Sequence, residues 1–287
     1  MSSNVTLIIP SYRNPKYLDL CLQSATENRD DPNNHIMVII DGYFEESREI
    51  LEKYSDVLYL DLGENRGMQF ALNAGVMQSQ TKYVFIINDD NVMPKHWDTR
   101  LLEQVEICKK NIRGLGKDGY IEQDKFVLTV DQFEPTGPGM FNFPVRDLGQ
   151  TVEEFEYVKW LYVEDENKDK AKPPVIDFDG HIFPFVMEKK YYLACGGFDV
   201  FYNSPNVCDW DFFLKLELLG FVFPRTRALR LYHFGSVATK KNAESQKFRD
   251  REAQAFAEYD WKWGAQPYNG PNNTKVHPQG FRGFKHE

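Results

Sequence analysis

Short, continuous apolar runs alternate with amphipathic stretches along the first hundred residues. Val5–Ile9 is apolar apart from Thr6 and is closed by Pro10-Ser11; beyond Asn14-Pro15, the residues Tyr17, Leu18, Cys21, Leu22 and Ala25 recur at three- and four-residue spacing. The pattern predicts strand, loop, helix. A polar turn at Asp30–Asn34 leads into a second run, Ile36–Ile40, which stops at Asp41-Gly42. A charged helix over Glu45–Tyr54, a third run at Val57–Leu60, a helix over Met68–Ser79 and a fourth run at Val84–Ile87 complete the series. Apolar runs separated by helices indicate parallel βαβ units with both sheet faces covered. Ligands of such sheets bind beyond the carboxyl ends of the strands. Those ends carry Pro10-Ser11-Tyr12-Arg13, Asp41-Gly42 and Asn88-Asp89-Asp90-Asn91.

After a helix over Trp97–Lys110 the pattern loosens. Lys125–Val130 and Tyr157–Tyr162 read as short strand-like pieces, Pro135–Gly139 as a turn that could act as a lid, and Glu164–Lys172 as a solvated loop. Regularity returns with the strand-like run Phe183–Met187, a helix over Lys189–Cys195, the turn Gly196-Gly197 and an amphipathic helix over Asp209–Leu219 ended by Gly220. A helical segment at Glu244–Tyr259 precedes an Asn-, Pro- and Gly-rich tail. The division is one mixed α/β domain over 1–240, split into halves at about residue 100, followed by a C-terminal helical extension over 241–287.

Composition narrows the function classes. In a chain of 287 residues, 42% apolar and 15% aromatic content can fill a sizeable core, which excludes a disordered chain. Thirty-four basic against 43 acidic residues give a net charge of -9, which argues against nonspecific nucleic-acid binding. The start lacks the pattern of a signal peptide and no apolar run is long enough to span a bilayer, so the expectation is a cytoplasmic protein or one peripheral to a membrane. Cys21, Cys108, Cys195 and Cys208 form no C-x-x-C pair and read as reduced, packed thiols.

Two segments carry candidate chemistry. In IINDDNVMP the adjacent Asp89 and Asp90 follow a hydrophobic strand; such carboxylates repel unless a cation or hydrogen-bond donors hold them, and hard oxygen ligands suit magnesium or manganese. The plainer reading is an Asx-type turn with Asn91. In GGFDVFYNSPNVCDWDFFLKLELLGF, Asp209 and Asp211 flank Trp210 at a helix start, where the macrodipole favours carboxylates. His233 follows Leu231-Tyr232 in LYHFGS. Trp160, Tyr202 and Trp210 suit core packing, and His181 lies just before the strand-like run Phe183–Met187.

Taken in order, these segments resemble the family 2 glycosyltransferases of GT-A fold. The pieces are VTLIIPSYRNPKYLDLCLQSA, IIDG, ENRGMQFALNAG, INDDNVMP, GGFDVFYNSPNVCDWDF, LYHFGS and, beyond the core, YDWKWG. The resemblance implies an α/β fold with a Rossmann-like mixed sheet flanked by helices, the nucleotide-binding half lying in 1–100 and the acceptor half in 101–240. It implies an inverting, metal-dependent enzyme that moves a sugar from a nucleoside diphosphate donor to a hydroxyl of a carbohydrate-like acceptor. Pro10, Ser11, Tyr12 and Arg13 would line the nucleotide, Asp41 would bond its base, Arg66, Gly67 and Asn73 would border the pocket, and Asp89 would hold the ribose. Asp90 and His233 would ligate Mn2+ or Mg2+, and Asp209 would be the general base. Two positions depart from the family pattern: Asn88 stands where an acid often opens the D-x-D motif, and Cys208 where Glu commonly precedes the base. They leave a second reading, a nucleotide-sugar-binding module without turnover. A nucleotidyltransferase would need a Gly-rich, basic phosphate loop where Pro10–Pro15 stands.

Overall fold

Along the first strand, β1 (Val5–Ser11), Val5, Leu7 and Ile9 enter one apolar cluster while Ile8 enters another, so both faces of the sheet are covered. The computed structural model describes residues 4–111, 125–136, 143–168, 182–202, 204, 207–235 and 246–264. His181, residues 137–139 of the turn Pro135–Gly139 and all of 236–245 lie outside the described residues.

The chain continues with α1 (Pro15–Glu27), β2 (His35–Ile40), α2 (Phe44–Lys53), β3 (Val57–Asp61), α3 (Met68–Gln78), β4 (Tyr83–Ile86), a two-residue β5 (Asn91–Val92) and α4 (Trp97–Asn111). It goes on through β6 (Leu128–Phe133), α5 (Tyr157–Lys168), β7 (Phe185–Glu188), α6 (Lys189–Ala194), α7 (Cys208–Leu218), β8 (Arg225–His233) and α8 (Gln246–Trp263). One sheet runs in the order β3-β2-β1-β4-β7-β6-β8-β5. β1 pairs in parallel with β2 and β4, whereas β7 is antiparallel to both β4 and β6. The sheet is therefore mixed, and its order reverses beside β1, where a crevice for a ligand is expected.

Helices α1, α2 and α4 cover one face; α3, α6, α7 and α8 cover the other. A third cluster, with Trp160, Tyr232 and Phe234 at its centre, lies under α5. Here the sequence expectation is corrected: Tyr157–Tyr162 is not a strand but the start of a helix, which also takes up Glu164–Lys168 of the expected loop. Tyr, Val and Trp favour strands, yet Trp160 is fully buried against Phe133 and Tyr232, and burying that indole outweighs local preference. The four cysteines are free, and three of them are buried. Among the described residues no helix is long and apolar enough to cross a membrane.

Candidate active site

The carboxyl ends of β1, β2 and β4 gather the first group of polar residues. Asp41, just past β2, is buried, and its carboxylate accepts the N–H groups of Arg66 at 2.6 Å and Gly67 at 3.0 Å and the Asn65 amide at 3.0 Å. It thereby fixes the loop that opens α3. Burial raises its pKa, and the two backbone hydrogen bonds oppose that rise. Gly42 permits the close approach: its φ is +84°, and a Cβ there would lie 2.8 Å from the Asn65 nitrogen. Pro10 and Ser11 end β1, and the Tyr12 ring meets Tyr43 edge-on at 5.7 Å. Arg13 lies over Tyr43 at 4.3 Å and pairs with Glu46 at 3.3 Å; Arg66 pairs with Glu64 at 2.8 Å. Both cations are about half exposed at this edge.

Asp89 is held from the β1 side, accepting the Ser11 hydroxyl at 2.7 Å and the Asn14 amide at 3.0 Å. Burial, with the adjacent Asp90 charge, raises its pKa to about 7 despite those two donors. The turn is closed by the main chain, the Asn91 N–H donating to the Asn88 carbonyl at 3.3 Å, and the Asn91 side chain reaches back across it rather than forward as in an Asx turn. Asn91 accepts the Asn88 N–H at 3.0 Å and donates to Gln132 at 3.1 Å, so the two asparagines build the turn that carries both aspartates.

Asp90 meets His233 because β5 pairs antiparallel with β8, setting Asn91 opposite His233. The Nε2 of His233 lies 3.4 Å from Asp90 Oδ1, and its Nδ1 lies 2.9 Å from Glu134 Oε1. Burial alone would lower the imidazole's pKa, but the Asp90 and Glu134 charges outweigh it and lift the value to about 9. Tyr232 and Phe234, on either side in sequence, point into the third apolar cluster and so turn His233 the other way. Glu134 belongs to none of the sequence motifs. It follows the end of β6, so the strand-end rule that marks Asp41 and Asp89 marks this residue too.

The second candidate segment opens α7. Asp209 is partly exposed in the first turn and accepts the Trp210 N–H at 2.8 Å; desolvation raises its pKa to about 7. Asp211 is fully buried and bonds the Tyr202 hydroxyl at 3.2 Å, the Lys262 ammonium at 2.5 Å and the Trp263 indole N–H at 2.8 Å. Cys208 is also fully buried, so its thiol faces the core. Tyr202 and Trp160 are core residues, as packing suggested.

Helix α3 ties the two groups together. Its first turn follows Gly67, and the Gln69 amide donates to the carbonyls of Tyr202 at 2.9 Å and Ser204 at 2.8 Å. Asn73 is engaged at the turn before Phe198: it accepts the Tyr192 hydroxyl at 2.8 Å and the Phe198 N–H at 2.9 Å, and donates to the Phe198 carbonyl at 2.8 Å. Gln69, Tyr43, Lys262 and Trp263 are further residues whose contacts no single motif discloses.

A sequence model described as Glycosyl transferase family 2 matches residues 6–143. Glycosyltransferase GlyA of Streptococcus pneumoniae serotype 4 is 28% identical over 109 residues, which are 37% of this chain and 15% of that protein, so the chain spans a small part of that relative's length. Among solved structures, S. aureus TarS superposes with a TM-score of 0.54 at 12% identity, over 90% of this chain and 43% of its own. The mannosyltransferase PcManGT from Pyrobaculum calidifontis, in complex with GDP-Man and Mn2+, also reaches 0.54, at 15% identity over 93% of this chain and 66% of its own. At such identities the likeness shows the fold, which is the GT-A arrangement of a mixed sheet between helices. Residues 6–143 thus match the sequence model of glycosyl transferase family 2, and the relatives and solved structures that the chain is similar to are glycosyltransferases as well.

Proposed function

We propose that this chain is an inverting glycosyltransferase that moves one sugar from a nucleoside diphosphate donor to a hydroxyl of a carbohydrate-like acceptor with the help of a divalent metal ion. The observation that carries the reading is the meeting of Asp90 with His233 on the sheet edge that also bears Ser11, Asp41 and Asp89. The solved mannosyltransferase of the same fold, with its GDP-Man and Mn2+, supports the donor class and the metal.

The donor set fits such an ion. Asp90 offers a hard oxygen and His233 an imidazole nitrogen on facing sides, while Glu134 occupies the opposite ring nitrogen and fixes which nitrogen faces Asp90. Among the described residues no group of three His, Cys, Asp or Glu side chains is gathered into a complete cage. That is expected of magnesium or manganese, which take one or two protein ligands together with substrate phosphates. When bound, the metal would neutralise charge growing on the departing diphosphate.

The remaining roles belong to the chain itself. Tyr12 and Tyr43 offer apolar ring surface for the base, and Asp41 keeps the Arg66–Gly67 loop against it. Arg13 and Arg66 supply positive charge at this edge, and Asp89 faces the ribose. Asp209 takes the proton of the acceptor hydroxyl as its oxygen attacks the anomeric carbon. The bond from that carbon to the diphosphate oxygen breaks, and its electron pair leaves with the diphosphate. A carboxyl group of pKa about 7 suits this work, being ionised for half the molecules at neutral pH yet basic enough to hold the proton.

Asp209→Asn tests the reading directly. A general base contributes about 10²–10⁴-fold, so turnover should fall by that factor while calorimetry finds donor affinity in the presence of Mn2+ unchanged. Parental turnover by this variant overturns the assignment of the base. Tight donor binding by the unaltered chain, without turnover across a panel of acceptors, would favour the binding-module reading.

A further inference from the structure

We infer that Lys262 and Trp263 of α8, acting through Asp211, are positioning residues for Asp209; this deepens the reading of Asp209 as the base and rests on it. A buried carboxylate must be both paired and hydrogen-bonded, and Asp211 is fully buried. Its own helix supplies Lys215, whose ammonium lies 3.2 Å from Oδ2. Lys262 Nζ at 2.5 Å and Trp263 Nε1 at 2.8 Å come instead from a helix that begins beyond β8. Tyr202 donates to the same oxygen, Oδ1, at 3.2 Å.

The contacts spread from there. Lys262 also donates to Asp199 at 2.6 Å, and Lys215 donates to the Gly197 carbonyl at 2.6 Å, so two ammonium groups stitch the Gly197–Tyr202 segment to α7 and α8. Ala255, Tyr259 and Trp263 are buried in the same cluster as Tyr202 and Phe212 and press α8 against this point. The carboxylate of Asp209, by contrast, bonds within its own turn, to the Trp210 N–H. Its aim therefore depends on where that turn is anchored, and Asp211, two residues on, is the anchor. Displacing a reacting group by about 1 Å can cost about 10²-fold in rate. In this way a helix with no catalytic side chain of its own sets the geometry of the proton transfer.

The test uses the full chain with Mn2+ and a UDP-, GDP- or dTDP-sugar that it turns over. Trp263→Phe removes one N–H and keeps an aromatic ring; Lys262→Met removes the charge and keeps the stem. Because Lys262→Met leaves Asp211 short of a cation, the neutral pair Asp211→Asn with Lys262→Met serves as a second route to folded protein. Turnover, donor affinity and melting temperature are measured for each, well below its unfolding transition. Positioning predicts that turnover falls about 10–100-fold in every variant, including any that melts like the parent, with donor affinity within about twofold. Parental turnover with only a lowered melting temperature means that the clamp is merely structural and overturns the inference. So does an equal loss of donor affinity. Asp209→Asn run alongside separates the two levels: if it is inactive and the clamp variants keep parental turnover, only this inference fails, whereas parental turnover by Asp209→Asn removes the base as well.

Discussion

The two sides of the candidate site are built in different ways. At the ends of β1, β2 and β4, the donor side of the proposed function, the charged groups are satisfied by main chain and by short side chains from neighbouring loops: Asp41 by the N–H groups of Arg66 and Gly67, Asp89 by Ser11 and Asn14. At the start of α7 the Oδ1 of Asp211 is bonded only by other side chains, among them the long Lys262 and the bulky Trp263 from a distant helix, and its Oδ2 is ion-paired with Lys215. A backbone-built pocket tolerates changes of surface residues and depends on the path of the chain. A pocket built by side chains is set by individual residues and can be altered one substitution at a time. The invariant part of a nucleotide-sugar donor suits the first mode, and acceptor choice suits the second.

Experiments can strain this contrast. The largest effect is expected at Asp209, where the amide variant should lose about 10²–10⁴-fold in turnover with donor affinity intact, an acceptor-side change that leaves the donor side untouched. Next comes Asp90→Asn, which should weaken Mn2+ and Mn2+-dependent donor binding beyond the range reachable through an outer partner, as read by electron paramagnetic resonance and calorimetry. Glu134→Gln supplies that comparison. Loss of a carboxylate behind a metal-bound histidine typically costs about 10–100-fold in metal affinity, and this residue should fall in that range. An unchanged Mn2+ affinity would show that Glu134 does not orient His233 toward a metal.

The pH dependence gives a smaller signal. Desolvation places Asp209 at about 7, above an ordinary aspartate, and the base works only when ionised. kcat/KM should therefore climb about tenfold per unit at low pH, bend near the pKa of the free enzyme and flatten above it. A flat profile from about pH 5 to 8 would contradict an aspartate base with this environment. The smallest effect tests the main-chain side. Gly42→Ala forces an L-residue into left-handed backbone against Asn65, which should cost about 1–3 kcal/mol of stability and weaken donor binding without changing acceptor preference.

Much of the donor half could be read in the sequence because β1, β2 and β4 are covered on both faces, so their residues form continuous apolar runs ending at polar turns. Strand β8 is harder to read. Its RTRALRLYH interleaves three arginines with apolar residues, and two of them, Arg225 and Arg230, turn inward to the buried Asp131 on β6. No local pattern announces an ion cluster whose members lie far apart in sequence. The same limit applies to Glu134 and Gln69, whose importance lies in the groups they meet, and to α5, whose strand-favouring residues are helical because Trp160 is buried against Phe133 and Tyr232. The ordered set of motifs points to Asp209, Asp90 and His233, whereas the side chains that Asp90 and His233 meet belong to segments that only the fold brings near.

The pairing of β5 with β8 joins segments far apart in the chain; the Asn91 amide reaches the Tyr232 carbonyl across 141 residues of sequence. As the nascent chain emerges, Asp89, Asp90 and Glu134 are made long before the histidine that belongs between Asp90 and Glu134. The segment that carries the family match, 6–143, includes both acids and lacks that histidine. The Asp90–His233 pair is thus assembled by pairing of β5 with β8, and a chain ending before β8 holds the acidic groups without the imidazole that lies between them.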